Sequence, residues 1–270
     1  MSFIEQLNDK QKEAATCVDQ HVRIIAGAGS GKTRVVTTRI AYLISDLGIL
    51  PNRIMAITFT NKAAREMKER MESLLAGNCA GIQISTIHSL CVRMLREDIR
   101  VLEYPSNFTI LDSDDQKSIL RRAYKEMDLD AKTYSYGSVL SYISNNKTNF
   151  ISVEQAMEFA GNLSGEQIKA KLYAYYTNEL ETMKALDFDD LLLFTYRILK
   201  SFPEIKAKWQ RRYDYIHVDE FQDVDELQWG LIRCLVGDNA KLCVVGDPDQ
   251  TIYTWSCLLY TSTLSTTDTQ

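Results

Sequence analysis

A glycine-rich segment near the start of the chain carries the residue types that bind phosphate groups. Residues 26–33 read Ala-Gly-Ala-Gly-Ser-Gly-Lys-Thr, which differs from the P-loop pattern G-x-x-x-x-G-K-[ST] only in having Ala26 at the first position. Glycines let backbone N–H groups curl around phosphates, and the positive end of a following helix adds to the attraction. In such a loop Lys32 reaches the β- and γ-phosphates and the Thr33 hydroxyl binds Mg²⁺. The predicted nucleotide-binding residues of this segment are Ala26, Gly27, Ala28, Gly29, Ser30, Gly31, Lys32 and Thr33.

Two other polar segments each follow a short apolar run. Asp219 and Glu220 come after the first run, and residues 246–250 follow the second and end in Gln250. Taken alone, an acidic pair after an apolar run is often a solvated turn. Together with the P-loop, the segments suit ATP hydrolysis: Asp219 holds Mg²⁺, and Glu220 orients or deprotonates the attacking water. Gln250 would sense the γ-phosphate. We therefore predict ATP and Mg²⁺ as cofactors, and as catalytic residues Lys32, Asp219, Glu220 and Gln250.

Aromatic residues accompany the same segments. Phe59 ends an apolar run, and Tyr253 and Trp255 follow the Gln250 segment. Exposed aromatic rings can stack on single-stranded bases, each for roughly 1–3 kcal/mol. Burial in the core is the ordinary alternative, and residue chemistry alone does not choose between the two. The candidate DNA-contacting residues are Phe59, Thr60, Asn61, His88, Tyr253 and Trp255.

The chemistry-bearing segments follow short apolar runs rich in β-branched residues. These runs cover residues 22–26, 53–59, 215–218 and 242–245, and amphipathic helical patterns follow the first two. Strands that alternate with helices predict an α/β fold, with a parallel sheet flanked by helices. In such sheets ligands bind at the carboxyl ends of the strands, where these polar segments lie.

A stretch of helical character interrupts this alternation. Residues 112–186 contain no convincing strand, and Ser113 with Gln116 matches a capping box that opens a helix. Further helices are predicted around 136–144, 153–160 and 165–185. We therefore predict an all-helical subdomain at 112–186, inserted between the two parts of the α/β domain at 1–111 and 187–256. Residues 257–270 are rich in Ser and Thr and are expected to form a disordered or unrelated tail.

Composition places few restrictions on function. Hydrophobic residues make up 45% and charged residues 25% of the 270-residue chain, as in soluble globular proteins. We expect a cytoplasmic protein, since no membrane helix or signal peptide is evident. The net charge of −5 argues mildly against a nucleic-acid partner, although a local basic face can coexist with it. Reduced thiols are expected, because a zinc site from Cys79, His88 and Cys91 would match no standard spacing.

Read together, the motifs resemble those of the UvrD/PcrA/Rep group of superfamily-one DNA helicases. The matching blocks stand in the family's order at 7–11, 26–33, 57–64, 85–89, 187–192, 219–223 and 246–255. The resemblance implies a RecA-like fold, with Gln11 as the adenine contact and Arg34 near the nucleotide. It also favours base stacking for Phe59, Tyr253 and Trp255, and it places the helical insertion where duplex DNA would pass.

The activity implied by the resemblance is ATP-driven 3′-to-5′ translocation along single-stranded DNA in repair or replication. Its partners would be single-stranded DNA and single/double-strand junctions. After Trp255 the family continues with arginine and glycine, whereas Ser256 and Cys257 stand here and the similarity stops. We therefore expect that a second RecA-like domain is missing. The isolated chain would then bind MgATP and single-stranded DNA without unwinding duplexes.

Two alternatives remain at this stage. The chain can be the front part of a helicase–nuclease of the AddA/RecB kind, although the moderate spacing between motifs favours the simpler helicases. It can also be a nucleotide-binding interaction module, in which ATP acts as a switch and no motor is present. The pair Asp219 and Glu220 argues against a pure switch, which has less need of a catalytic carboxylate.

Overall fold

The structure, a computed structural model, describes residues 3–27 and 29–247, and the backbone of residues 267–269. The chain divides into two compact units. The first comprises the chain up to Leu90 and from Phe202 onward, and the second comprises Cys91–Ser201.

The β-strands are β1 (Val22–Ile25), β2 (Ile54–Thr58), β3 (Gln83–Thr86), β4 (Thr109–Ile110), β5 (Ala185–Leu186), β6 (Tyr215–Val218), β7 (Lys241–Gly246) and β8 (Thr267–Thr269). The α-helices are α1 (Asp9–Thr16), α2 (Lys32–Ser45), α3 (Asn61–Leu74), α4 (Ile87–Asp98), α5 (Ser113–Glu126), α6 (Tyr136–Thr148), α7 (Val153–Ala160), α8 (Ser164–Met183), α9 (Phe188–Ser201), α10 (Pro203–Gln210) and α11 (Glu226–Leu235). Short 3-10 helices cover Phe3–Gln6, Pro51–Arg53, Ile99–Leu102 and Phe221–Asp223.

The first unit contains a parallel sheet with the strand order β3-β2-β6-β7-β1, to which β8 adds beside β1. In the register of the sheet, Ile25 of β1 lies opposite Gly246 of β7, and Val218 of β6 lies opposite Val244 of β7. The carboxyl ends of β1, β6 and β7 therefore meet at one edge. All four strands predicted from apolar runs are present, and the predicted α/β fold with a parallel sheet flanked by helices is confirmed.

Apolar burial fixes the elements on either side of the glycine-rich segment. Val36, Ile40 and Leu43 of α2 are fully buried, and β2 is buried along its whole length. Each such side chain contributes roughly 1.5–3 kcal/mol when it leaves water. The segment between β1 and α2 is therefore held between two elements whose positions the core determines.

A buried arginine connects α2 with α1. Arg39 is fully buried, and its guanidinium donates to the carbonyl oxygens of Ala14, at 2.9 Å, and of Cys17. These carbonyls lie at the C-terminal end of α1, where a positive charge is favoured by the helix dipole. The contact fixes α1, which carries Gln11, relative to α2.

The second unit has its own core, formed mainly by side chains of α5, α6 and α8, such as Leu120, Val139 and Tyr176. The expectation of an all-helical insertion is not quite correct, because β4 and β5 pair in parallel, with Thr109 opposite Ala185. Strands of two residues are too short to produce an alternating pattern, and for this reason they were not predicted.

The start of α5 differs by one residue from the predicted capping box. Asp112, not Ser113, is the N-cap, and its side chain accepts hydrogen bonds from the backbone N–H groups of Asp114 and Asp115. The Asp115 carboxylate accepts from the backbone N–H of Asp112 in return. A carboxylate is a stronger acceptor than a hydroxyl at the positive end of a helix, which explains the shift.

Two further features bear on the predicted organisation. The second unit is longer than the predicted insertion at 112–186, since it also includes most of α4 and all of α9. The strand β8 lies in the segment for which we expected no regular structure, and its backbone pairs with Val22–Ile24.

Within the described residues, no helix has both the length and the apolar character needed to cross a membrane.

The second unit contains a buried cluster of one cation and two carboxylates. Lys147 Nζ lies 2.7 Å from Asp187 Oδ2 and 2.8 Å from Asp190 Oδ1, and all three side chains are almost completely buried. Tyr176 donates a hydrogen bond to Asp187. Burial, together with the Asp187 charge, raises the pKa of Asp190 to about 7, although Lys147 opposes this effect. Lys147 is therefore the group that keeps two adjacent buried carboxylates compatible with the fold.

We predict that Lys147→Met lowers the free energy of unfolding by about 3–5 kcal/mol, because removal of one partner leaves buried charges unpaired. Urea denaturation of the chain, followed by circular dichroism, measures the change. The control is Lys125→Met, which removes an exposed lysine of α5. A stability of Lys147→Met within 1 kcal/mol of the control would contradict this role.

Candidate nucleotide-binding site

The glycine-rich segment forms a tight loop between β1 and α2. Gly29 and Gly31 have φ angles of +71° and +85°, in the left-handed region that favours glycine. Gly31 is the N-cap of α2, and a Cβ atom there would lie 3.2 Å from Gln11 Nε2. The backbone N–H groups at the start of α2 and the positive end of its dipole are therefore available to an anion. Ala28 lies outside the described residues.

Lys32 lies at the centre of this loop. Its Nζ donates to the carbonyl oxygens of Ala26, at 3.0 Å, and of Gly27, at 3.3 Å, and it lies 3.5 Å from Asp247 Oδ2. Only about 10% of its side chain is exposed. The ammonium group is thus held at the carboxyl ends of β1 and β7. Its contact with phosphates stays a prediction.

Asp247 is a site residue that we did not single out from the sequence. It is 2% exposed and directly follows β7, so its carboxylate faces the ammonium of the P-loop lysine. The available signal was its position immediately after a buried strand, at the edge of the sheet where ligands bind.

The two predicted magnesium ligands, Thr33 and Asp219, lie next to each other. The Thr33 hydroxyl donates to Asp219 Oδ2 at 3.3 Å, and the backbone N–H of Asp219 continues the sheet by donating to Ile57. Burial, together with the Glu220 charge, raises the pKa of Asp219. A buried carboxylate with a like charge beside it gains from a nearby cation.

The donor set fits magnesium. Hydroxyl and carboxylate oxygens are the ligands that Mg²⁺ prefers. Phosphate oxygens and water usually complete its coordination shell. Within the described part of the chain, no group of three or more His, Cys, Asp or Glu side chains is arranged to hold a metal by itself. The residues Thr33 and Asp219 therefore suit a cation that arrives together with phosphates.

Glu220 follows in an unusual backbone conformation. Its φ angle is +51°, which costs a non-glycine residue of the order of 1 kcal/mol, and its backbone N–H donates to Asp219 Oδ1. Strained residues of this kind concentrate at functional sites. Gln250, the fourth predicted catalytic residue, lies outside the described residues.

A cavity of about 170 Å³ lies beside the loop. Its lining is largely apolar and includes Ala14, Ile24 and Val35 together with Gln11. Gln11 belongs to the capping box of α1 with Asn8, and its Nε2 donates to the Ser30 carbonyl at 2.9 Å. The cavity suits a flat, mostly apolar ring, and Gln11 keeps one amide hydrogen and one lone pair for the edge of a base.

Arg34 contacts the 3-10 helix that precedes α1 in this structure. Its guanidinium donates to the backbone and side-chain oxygens of Gln6 at 3.1 and 3.2 Å. Its placement near a bound nucleotide stays a prediction.

A second cavity, of about 120 Å³, is lined both by residues predicted to contact DNA and by the two carboxylates predicted to be catalytic. Phe59 and His88 line it together with Asp219 and Glu220. Phe59 is 49% exposed, so it is not a core aromatic residue. Burial lowers the pKa of His88.

Two of the other residues predicted to contact DNA, Thr60 and Asn61, lie at the start of α3. Thr60 is the N-cap of α3, and its hydroxyl accepts from the Ala63 backbone N–H. Asn61 is the exposed first residue of the same helix. Tyr253 and Trp255 lie outside the described residues, so their roles stay predictions.

The parallel sheet, the loop around Lys32 and the Thr33–Asp219 pair define a P-loop nucleotide-binding protein of the α/β class. Comparison with known families is more specific, because the sequence model of the "UvrD/REP helicase N-terminal domain" matches residues 7–257. The chain belongs to this family, and its first unit is a RecA-like helicase domain.

Several curated proteins are similar to the chain. "ATP-dependent DNA helicase PcrA" of Bacillus subtilis is 45% identical over 263 residues, which cover 97% of this chain and 36% of that protein. "Probable DNA helicase II homolog" of Mycoplasma capricolum is 46% identical over 259 residues, with coverage of 94% and 36%. The PcrA helicase of Staphylococcus aureus is 41% identical over 254 residues, with coverage of 94% and 35%. The chain thus spans about a third of the length of these relatives.

Proposed function

We propose that the chain is the ATP-binding part of an ATP-dependent DNA helicase that moves 3′ to 5′ along single-stranded DNA. The observation that carries the proposal is the convergence of Lys32, Thr33 and Asp219 at the carboxyl ends of β1 and β6, the two strands on either side of β7 in the parallel sheet. Family membership and the names of the similar proteins support the same activity.

Each residue of the site has a chemical role in this proposal. Lys32 exchanges its carbonyl and Asp247 contacts for the β- and γ-phosphates of ATP. Thr33 and Asp219 hold Mg²⁺, which neutralises charge on the phosphates when it is bound. Glu220 is the neighbouring carboxylate that orients or deprotonates the attacking water, and Gln250 senses the γ-phosphate. The apolar cavity beside Gln11 takes the adenine ring.

The DNA path begins at the second cavity. Its exposed ring, Phe59, stacks on a base, and His88 and Asn61 contact the strand beside it. Because Asp219 and Glu220 line the same cavity, a base that enters it lies next to the carboxylates that act on ATP. We propose single-stranded DNA and single/double-strand junctions as the substrates.

The catalytic site in this chain is incomplete in the proposal. The remaining groups, including arginines that face the γ-phosphate, are assigned to a second RecA-like domain outside these residues. Arginine fingers contribute roughly 10³–10⁵ in rate at comparable phosphoryl-transfer sites. The chain by itself should therefore bind MgATP and single-stranded DNA, but it should not separate strands.

Two other functions make different predictions. A helicase–nuclease of the AddA/RecB kind would share these motifs and carry a nuclease domain elsewhere, so the full gene distinguishes it. A nucleotide-binding switch without motor activity would bind MgATP but would show no affinity for DNA at Phe59. The cavity shared by Phe59 and the carboxylates favours the helicase over the switch.

We predict that Lys32→Ala weakens MgATP binding by about 10- to 100-fold, because charge-assisted hydrogen bonds contribute about 1.5–3 kcal/mol. Titration with a fluorescent ATP analogue measures the dissociation constant. Lys68→Ala, which removes an exposed lysine on α3, is the control and should bind like the parent. Equal affinity of Lys32→Ala and Lys68→Ala would place the phosphates elsewhere.

Phe59→Ala should weaken binding of a labelled oligo-dT by roughly 1–3 kcal/mol, which is the contribution of one stacked base. Leu50→Ala is the matched control, since Leu50 is an exposed apolar side chain of the same unit at 63% exposure. Fluorescence anisotropy at fixed salt measures both affinities. If Phe59→Ala binds oligo-dT as tightly as Leu50→Ala does, the DNA path is misassigned.

A further inference from the structure

The short 3-10 helix after Glu220 contains a buried amide that the sequence analysis gave no role. Gln222 is only 2% exposed, although glutamine side chains are usually solvated. A buried amide is stable only when its donors and acceptor find partners, so its two contacts show what holds it in place.

Each end of the Gln222 side chain contacts a different part of the site. Its Nε2 donates to Glu220 Oε2 at 2.6 Å. Its Oε1 accepts from the backbone N–H of Asp247 at 2.9 Å. One side chain therefore joins the carboxylate at the end of β6 to the backbone at the end of β7.

The close approach to β7 depends on a glycine. A Cβ atom on Gly246 would lie 2.8 Å from Gln222 Oε1 and 3.3 Å from the Gln222 backbone nitrogen. The φ angle of Gly246 is not in the left-handed region, so contact with Gln222, and not backbone conformation, explains why glycine fits here. This packing shows that the end of β7 is shaped around Gln222.

Asp247 extends the contacts of Gln222 to the P-loop. Asp247, whose N–H is bound to Gln222, has its carboxylate 3.5 Å from Lys32 Nζ. In the proposed function Lys32 leaves Asp247 when phosphates bind. Loss of that contact changes the charge balance at Asp247, and the Gln222 side chain is the direct link from Asp247 to Glu220.

We propose that Gln222 is a positioning residue that makes the placement of Glu220 depend on the nucleotide bound at Lys32. Because Glu220 lines the cavity that also contains Phe59, the link extends from the phosphates to the DNA side. Gln222 acts through its neighbours and touches neither ligand. The proposal rests on the proposed function, since it requires both ligands to bind to this chain.

Coupling between two sites is measured as the ratio of two affinities. The dissociation constant of the chain for a labelled oligo-dT is determined with saturating MgADP and again with a saturating non-hydrolysable MgATP analogue. Coupling free energies in proteins correspond to roughly 5- to 150-fold effects, so the parent ratio should be at least about fivefold in one direction. A uniform loss of affinity leaves the ratio unchanged, which separates coupling from a merely structural role.

Two variants of Gln222 test its two side-chain hydrogen bonds. Gln222→Leu has a similar size and removes both hydrogen bonds. Gln222→Glu keeps an acceptor for the Asp247 N–H but places a carboxylate against Glu220. Gln210→Ala is the control, because Gln210 is another glutamine of the same unit, half-buried, whose side chain makes two hydrogen bonds, to the carbonyls of Cys234 and Val236.

The proposal expects the ratio to fall below about twofold in both Gln222 variants and to keep its parent value in Gln210→Ala. A parent ratio that persists in Gln222→Leu or in Gln222→Glu would overturn it. So would a parent chain that binds both ligands with a ratio near one. If the folded parent binds oligo-dT but no nucleotide, or nucleotide but no oligo-dT, the proposed function fails and the coupling role fails with it.

Discussion

Parallel pairing of β6, β7 and β1 is the constraint on which the rest of the site depends. Because the three strands run in the same direction and in register, Asp219, Asp247 and the P-loop follow neighbouring strands at one edge of the sheet. The buried faces of β2 and α2 fix that edge within the core. No single contact at the site needs to be strong, since the geometry is already determined by apolar burial and backbone hydrogen bonds.

Electrostatics explain why this edge suits a nucleotide with its metal. Asp219, Glu220 and Asp247 lie close together with Lys32 as the cation among them, and burial raises the pKa of Asp219. Phosphates can replace the contacts of Lys32, and Mg²⁺ can offset the carboxylates. In the proposed function, the site therefore exchanges internal partners for ligand groups without leaving a buried charge alone.

The strongest sequence signals concerned elements with long apolar patterns or strict turn chemistry. The P-loop required glycines at positive φ, so Gly29 and Gly31 could be placed from sequence, as could the buried strands β6 and β7. Other features depend on tertiary neighbours. The roles of Gln222 and Asp247 depend on contacts with residues that are distant in the sequence, such as Lys32, which is 215 positions from Asp247. The N-cap of α5 was misplaced by one residue because two adjacent polar residues, Asp112 and Ser113, can both cap a helix. The predicted roles of Gln250, Tyr253 and Trp255 stay predictions.

The central claim is that this chain contains a nucleotide site that binds ATP but needs groups from elsewhere to hydrolyse it. Phosphate release from MgATP by the chain, with and without single-stranded DNA and beside Lys32→Ala, tests it most directly. The account predicts that the parent releases no more phosphate than Lys32→Ala in either condition, because the proposed function assigns the arginines that face the γ-phosphate to a second RecA-like domain. DNA-stimulated turnover that Lys32→Ala abolishes would contradict it and would mean that the catalytic groups are complete in this chain or in a second copy of it.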